Sequence, residues 1–200
     1  MKLNLGCGFD KRDEWINVDK IAACEPDQQV DLETFPWPWA DSSANEVLMR
    51  HLLEHIGETS GVFLDFMKEL WRVSQPSALI TILVPHPRCD EFLWDPTHVR
   101  PITPEGLRMF SQQRNCEMIK QHNPETPLGL YAGVDFELLE VSYIWRKPWP
   151  LRLAEGAVTD QHLKDMMARH LNVAKEISIA LRVIKPASHS FDHGQGTPAG

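Results

Sequence analysis

Gly6-Cys7-Gly8 directly follows the apolar stretch Leu3 to Leu5, and a carboxylate, Asp19, closes the alternating segment Trp15-Ile16-Asn17-Val18-Asp19. A glycine has no Cβ, so its backbone can approach a ligand closely, and a carboxylate at the tip of the adjacent strand can accept bonds from ribose hydroxyls. A nucleoside-like ligand suits both features. The nicotinamide-dinucleotide fingerprint is disfavoured, because Lys11 stands at its third glycine and Asp19 follows Gly8 after about eleven residues instead of the usual twenty or so.

Histidines supply the second set of candidates. His51, His55, His86 and His98 follow apolar segments or lie in a polar connection, where a neutral imidazole can take a proton near pH 7. Asp95-Pro96-Thr97-His98-Val99-Arg100 places a carboxylate, an imidazole and a guanidinium close together, and such groups are costly to bury unpaired. Asp95 and His98 suit acceptor binding or proton removal, while Arg100 suits an anionic acceptor or pairs with Asp95. His51-Leu52-Leu53-Glu54-His55 also spells H-x-x-E-H, in which two histidines one helical turn apart bind zinc and the glutamate is the base. The segment emerges from an apparent strand at Glu46 to Met49, however, so no metal site is assigned.

Strands are expected at Leu3 to Leu5, Trp15 to Asp19, Val30 to Leu32 and Asn45 to Met49. The proline and tryptophan stretch Phe35 to Trp39 must be irregular, since proline lacks a ladder donor. From Thr59 to Ser74, Phe63, Phe66, Met67, Leu70 and Trp71 follow helical spacing, the pattern of a helix covering a sheet. Ala78 to Val84 reads as a strand buried on both faces, as parallel sheets produce. A long polar connection, His86 to Ile102, then precedes a helix opened by Thr103-Pro104-Glu105 with Leu107 and Phe110 buried.

Phe136 to Trp145 reads as a late strand with Leu139, Val141, Tyr143 and Trp145 on one face. Thr159 to Ile184 holds a helical period through Leu163, Met167, Leu171, Ala174, Ile177, Leu181 and Ile184, so a long C-terminal helix is expected over 159–184, ended by Pro186. Its stripe serves core packing or homodimerisation. Alternating strand and helix signals give an α/β fold, with residues 1–186 as one domain and 187–200 as a disordered tail.

Composition narrows the function classes. The chain has 200 residues, is 42% hydrophobic and carries a formal net charge of −8, which suits one globular domain and opposes nonspecific attraction to phosphate backbones. Nucleic acid is therefore not expected as a partner. No apolar run approaches the roughly 20 residues of a membrane span, so a cytoplasmic protein is expected. Cys7, Cys24, Cys89 and Cys116 form no CxxC pair and read as free thiols. Trp37, Trp39, Trp94, Trp145 and Trp149 suit either core packing or the wall of a pocket for an aromatic or sugar acceptor.

In order and spacing these segments resemble the class I, Rossmann-like S-adenosylmethionine-dependent methyltransferases of compact bacterial and phage type. Leu3-Asn4-Leu5-Gly6-Cys7-Gly8 is similar to their first motif and Trp15-Ile16-Asn17-Val18-Asp19 to their second. Asp31-Leu32 is similar to the acidic motif at the adenine, Asp41 to Val47 to the approach to the fourth strand, and Leu53-Glu54-His55 to the LEH that follows it.

The resemblance covers residues 2 to 110. It implies a mostly parallel sheet with an antiparallel late strand and helices on both faces. It also implies that S-adenosylmethionine is bound by Leu5, Gly6, Cys7, Gly8, Asp19, Lys20, Asp31, Leu32 and His51, leaving S-adenosylhomocysteine as product. His51 faces the methionine end or the reacting methyl in this reading, and the negative charge favours a small molecule or sugar as acceptor. The chain departs from the family at Asn4, often acidic there, at Asp10, often glycine, and at Asn45, usually aspartate. Gly8 to Ile16 is also too short for a full crossover helix, so the first helix must be cut to a turn or a loop. These departures motivate a catalytically degenerate, cofactor-binding scaffold as the alternative.

Overall fold

The computed structural model describes residues 1–186, so the expected tail 187–200 lies outside the described residues. Seven strands form one mixed sheet in the order β3-β2-β1-β4-β5-β7-β6. They are β1 (Lys2–Leu5), β2 (Ile16–Asp19), β3 (Gln28–Gln29), β4 (Ala44–Arg50), β5 (Ser74–Pro85), β6 (Phe136–Trp145) and β7 (Ala174–Val183). β1 to β5 pair in parallel, and β7 runs antiparallel between β5 and β6. The helices are α1 (Ser60–Val73), α2 (Asp90–Leu93), α3 (Pro104–Arg108), α4 (Gln112–Lys120), α5 (Leu128–Ala132), α6 (Trp149–Ala154) and α7 (Asp160–Met167). None is long and apolar enough to cross a membrane.

Between β1 and β2 the first crossover is a loop, as its length requires. Two buried asparagines close it: Asn4 Nδ2 donates to Asp10 O at 2.9 Å and to Asn17 Oδ1 at 3.0 Å. Asn17 in turn accepts from Arg12 N at 2.9 Å and donates from N and Nδ2 to Asp27 Oδ2 at 2.7 and 2.8 Å. An amide both donates and accepts, which a carboxylate cannot do. Asn4 is thus the residue a helix-free crossover needs. β3 is shorter and earlier than expected: Val30 N still bonds Asp19 O at 3.1 Å, but Asp31 to Leu32 turns away from the ladder.

α1 forms as its spacing predicts, capped by Thr59, and buries Phe63, Phe66, Met67, Leu70 and Val73 in a core shared with Ile80, Ile82, Ile177, Ile179 and Leu181. Trp37 and Trp39 belong to this core, while Trp94 is exposed. Helices lie on both sides of the sheet, but the cover is uneven. β5 is buried on one face only: Ile80, Ile82 and Val84 are enclosed, whereas Leu79 is 49% exposed and Thr81 is exposed. The reason is the antiparallel neighbour, because an antiparallel pair tolerates a wet face. Leu79 sits in register with Glu46 and Arg182, whose partners Lys2 at 3.1 Å and Glu137 at 2.9 Å make that row polar.

The long helix expected over 159–184 is instead α7, a turn through Asn172 at φ +61°, and the strand β7. Ile177 and Leu181 are four apart, a spacing common to both periods. The arbiters are Ile179 and Val183, which complete a strict alternation of buried residues and are β-branched. In β6 a bulge skips Leu139 between Leu138↔Leu181 and Glu140↔Ala180, so Leu138 replaces Leu139 on the face with Val141 and Tyr143.

A second irregularity lies between Ala44↔Ser74 and Glu46↔Leu79, where exposed Ser77 adopts φ +63°. An L-residue in that region costs about 1–2 kcal/mol, whereas glycine's extra unfolded-state entropy costs about 0.5–1 kcal/mol. Ser77→Gly is therefore expected to stabilise the fold by about 0.5 kcal/mol, read as a higher denaturation midpoint at unchanged slope. An unchanged or lower midpoint refutes this.

Candidate active site

The parallel strands end together, and the turn after β1 opens a cleft there. Gly6 takes φ +64° and Gly8 φ +51°. Cys7 N bonds Val18 O at 2.9 Å, and Asp19 Oδ2 accepts from Gly8 N at 2.9 Å while its Oδ1 accepts from Ile21 N at 2.9 Å. The Asp19 carboxylate thus holds the glycine turn and the start of the next segment together, and it has lone pairs left over for a ligand.

The cleft measures about 400 Å³, within the ordinary range for a small-ligand site. Of the expected cofactor contacts, Gly6, Asp19, Lys20, Asp31, Leu32 and His51 line it. Leu5, Cys7 and Gly8 do not: Leu5 is fully buried in the core, and Gly8 is spent on Asp19. The Cys7 Sγ donates to Gly8 O at 3.4 Å, and burial pushes this thiol up, with Asp19 adding to the effect. Val30, Leu52 and Ile56 supply apolar wall, and Glu33, His55 and Thr97 complete the rim. His55 was expected only as a candidate base and the other five were not expected at all; Leu52 and Ile56 flank the Leu53-Glu54-His55 motif and were within its reach as a signal.

After β4 the chain turns at His51, held at φ +51° with its N–H bonded to Leu83 O at 2.8 Å. Leu53–His55 then forms a single 3-10 turn, not the helix H-x-x-E-H chemistry needs, so the arrangement of two zinc histidines with a glutamate base is overturned. His51 Nδ1 instead lies 3.4 Å from Glu54 Oε1 and its Nε2 3.5 Å from Glu176 Oε1. The weak bond to Glu54 raises the His51 pKa against the opposing effect of partial burial, and the charges of Glu54 and Glu176 add to the rise. A raised pKa makes His51 less ready to serve as a neutral base near pH 7, and it stays at the cleft.

Glu176→Gln removes one of these charges and is expected to lower the His51 midpoint. In an NMR titration His51 should protonate above its ordinary range in the wild type and at lower pH in the variant. Coincident curves would show that Glu176 exerts no such influence.

A second cleft of about 310 Å³ adjoins the first, with His51 and His55 lining both. Asp95 and His98 line it, as does Glu54. Asp95 Oδ1 accepts from Thr97 N at 2.8 Å and Oγ1 at 2.6 Å, bonds that hold its carboxyl below the usual range. Arg100 goes elsewhere. Its guanidinium bonds the carbonyls of Ile56, Gly57 and Thr59 and covers the Phe63 ring at 4.2 Å, so it neither pairs with Asp95 nor faces either cleft. Five donors in a planar fork suit the loose carbonyls of that turn, and the expected role toward an anionic acceptor is corrected accordingly. His86 is buried, accepts from Arg88 N at 3.1 Å, and lines neither cleft.

No family model matches the sequence, and no curated protein matches it. Among solved structures, it superposes on a SAM-dependent methyltransferase from Archaeoglobus fulgidus with a TM-score of 0.60 at 17% identity, over 90% of this chain and 85% of the other. The YcgJ protein of Bacillus subtilis gives 0.52 at 14% identity over 92% and 91% of the two chains. The [4+2]-cyclase SpnF gives 0.53 at 16% identity over 92% and 75%. The chain therefore has the Rossmann-like methyltransferase fold, a fold that also houses a cyclase.

Proposed function

We propose that this protein binds S-adenosylmethionine in the cleft beside Gly6 and Asp19 and transfers its methyl group to a small-molecule acceptor held in the adjoining cleft. The observation that carries the reading is Asp19: a carboxylate at the tip of β2, fixed by two backbone N–H groups, facing a cleft entered by a glycine at positive φ. Its free lone pairs suit a pair of ribose hydroxyls, and Val30, Leu32, Leu52 and Ile56 offer a flat apolar slot for adenine beside Asp31. His51, flanked by the carboxylates of Glu54 and Glu176, lies where the clefts join, at the amino-acid end of such a ligand.

Bound there, the cofactor supplies an electrophilic methyl on a sulfonium. The protein's task is to hold the acceptor in line, close and dry, a positional contribution that can reach about 7–11 kcal/mol. Asp95, His55 and His98 surround the second cleft and are the groups able to orient an acceptor or hold its proton. A sugar or other polar acceptor fits this lining better than an aromatic one, since no tryptophan lines either cleft. The reading includes a cytoplasmic location and needs neither nucleic acid nor a membrane.

Calorimetric titration of S-adenosylmethionine and S-adenosylhomocysteine into the protein is expected to show one-to-one binding. A folded sample that binds neither up to millimolar concentration overturns the reading.

A further inference from the structure

The loop that follows β5 returns to the 3-10 turn: Val99 N bonds Glu54 O at 2.9 Å, which places His98 beside His55. Their rings meet edge to face at 4.7 Å between centroids. Each ring is fixed through Nδ1. In His98 it lies 2.8 Å from Phe92 O, with the ring stacked on Phe92, and in His55 it lies 3.2 Å from Thr97 O and 3.0 Å from Thr97 Oγ1. A nitrogen facing a carbonyl must carry the proton, so in the neutral ring Nε2 is left with a bare lone pair.

Glu54 completes the group. It is 0% exposed, and neither carboxylate oxygen accepts a hydrogen bond of good geometry. Its nearest donor is His51 Nδ1, at 3.4 Å from one oxygen only. A buried carboxylate so poorly served is costly unless a cation is close.

We propose that Glu54, His55 and His98 bind one divalent transition-metal ion. One ligand atom from each can be chosen so that all lie within 4.8 Å of one another. A tetrahedral site with bonds of roughly 2.0–2.1 Å needs separations near 3.3 Å, so the three side chains must draw together when the ion binds. Two imidazoles and one carboxylate are a zinc set that leaves a coordination position open, and Nδ1–H bonds to carbonyls are the outer contacts that orient such histidines. Asp95 Oδ2, 3.7 Å from His98 Nε2, is the nearest further oxygen. The open position faces the second cleft, where it takes an oxygen ligand. That this oxygen belongs to a methyl acceptor rests on the methyl-transfer reading; ion binding does not.

The test titrates Zn²⁺ into the metal-stripped full chain by calorimetry, with Co²⁺ absorption reporting ligand geometry. One ion per chain is expected, weakened at least about 100-fold in Glu54→Gln and in His98→Gln. His162→Ala and the double variant His189→Ala/His193→Ala should bind as the wild type does. Circular dichroism and a cooperative melt verify folding, and Zn²⁺ should raise the Tm of the wild type and of these control variants but not that of Glu54→Gln or His98→Gln. Should Glu54→Gln fail to fold, His55→Gln takes its place.

The proposal is overturned if the folded wild type takes up no stoichiometric Zn²⁺. It is equally overturned if the site variants bind undiminished. S-adenosylmethionine affinity is measured in parallel without metal. Cofactor binding without zinc sinks this proposal alone, and zinc binding without cofactor sinks only the methyl-transfer reading.

Discussion

Asp19→Ala is expected to weaken S-adenosylmethionine binding by about 100-fold or more. Charge-assisted hydrogen bonds contribute about 1.5–3 kcal/mol each, and a ribose offers two hydroxyls to one carboxylate. Even the low end of that range, taken twice, is about 3 kcal/mol, which corresponds to roughly 150-fold in Kd. The variant also releases Gly8 N and Ile21 N, so part of the loss comes from a loosened glycine turn.

Asp19→Asn separates the two effects. It keeps an oxygen for one backbone N–H but gives up the second acceptor and the charge, and its affinity should lie between those of wild type and alanine. Gly6→Val reaches the same end by blocking the turn: a Cβ at Gly6 would lie 2.7 Å from Leu52 Cδ1, at a φ of +64° that valine adopts only under strain. Calorimetry on the three folded variants checks the series. Wild-type affinity in Asp19→Ala would show that any S-adenosylmethionine bound by the chain sits elsewhere.

Arg72→Ala should produce the second large effect, a loss of about 3 kcal/mol in stability. Arg72 is the clamp between α1 and the Trp37-Pro38-Trp39 segment. Its Nε and Nη2 bind the two oxygens of Glu69 at 2.6 and 2.7 Å, and its remaining protons reach the carbonyls of Trp37 and Trp39 and the carboxylate of Asp41. Glu69 also accepts Trp37 N at 2.7 Å. Removing the guanidinium leaves a largely buried carboxylate with a single donor and frees the segment that carries Leu32 toward the cleft.

The clamp sets a pH signature. The Arg72 guanidinium first, then Trp37 N, hold Glu69 below the ordinary carboxylate range against the effect of burial. A depressed folded value contributes stability above the unfolded value of about 4.3, and that stability is lost as the pH falls through the folded one. Chemical denaturation at pH 7 and at successively lower pH should therefore show the wild type losing stability on the acid side, with Arg72→Ala losing less. Equal acid sensitivity in the two proteins would contradict this account.

The parallel half of the sheet was legible because its signals are local: short apolar runs ending at Gly6, Asp19 and Arg50, with α1 announced by its spacing and by Thr59. Asp19 and Gly6 were readable as a pair for the same reason. The late strand Phe136 to Trp145 was legible too, but the segment 159–184 was not, since Ile177, Leu181 and Ile184 satisfy a helix while Ile177, Ile179, Leu181 and Val183 satisfy a strand. Tertiary context decided, in the form of two strands between which only an extended segment fits.

In the site the misreadings share a cause. Arg100 and His98 are neighbours in the loop that leaves β5, and sequence alone cannot say that one turns toward the carbonyls of Ile56 and Gly57 while the other turns toward His55. Glu54 entered only through the H-x-x-E-H pattern and the Leu53-Glu54-His55 resemblance, and its complete burial within the 3-10 turn is a tertiary fact that neither pattern carries.

The position of β7 between β5 and β6 has a consequence for how the polypeptide is made. During synthesis β1 to β5 emerge first and can pair among themselves, yet β5 then presents a bare edge with Ile80, Ile82 and Val84 behind it. β6 emerges with no strand beside it at all, since among the described residues its sole neighbour in the sheet is β7. Both edges stay open until residues 174–183 leave the ribosome and are drawn into the gap, and open edges of this kind recruit other chains. The last described strand is therefore the one that ends the nascent chain's period of exposure.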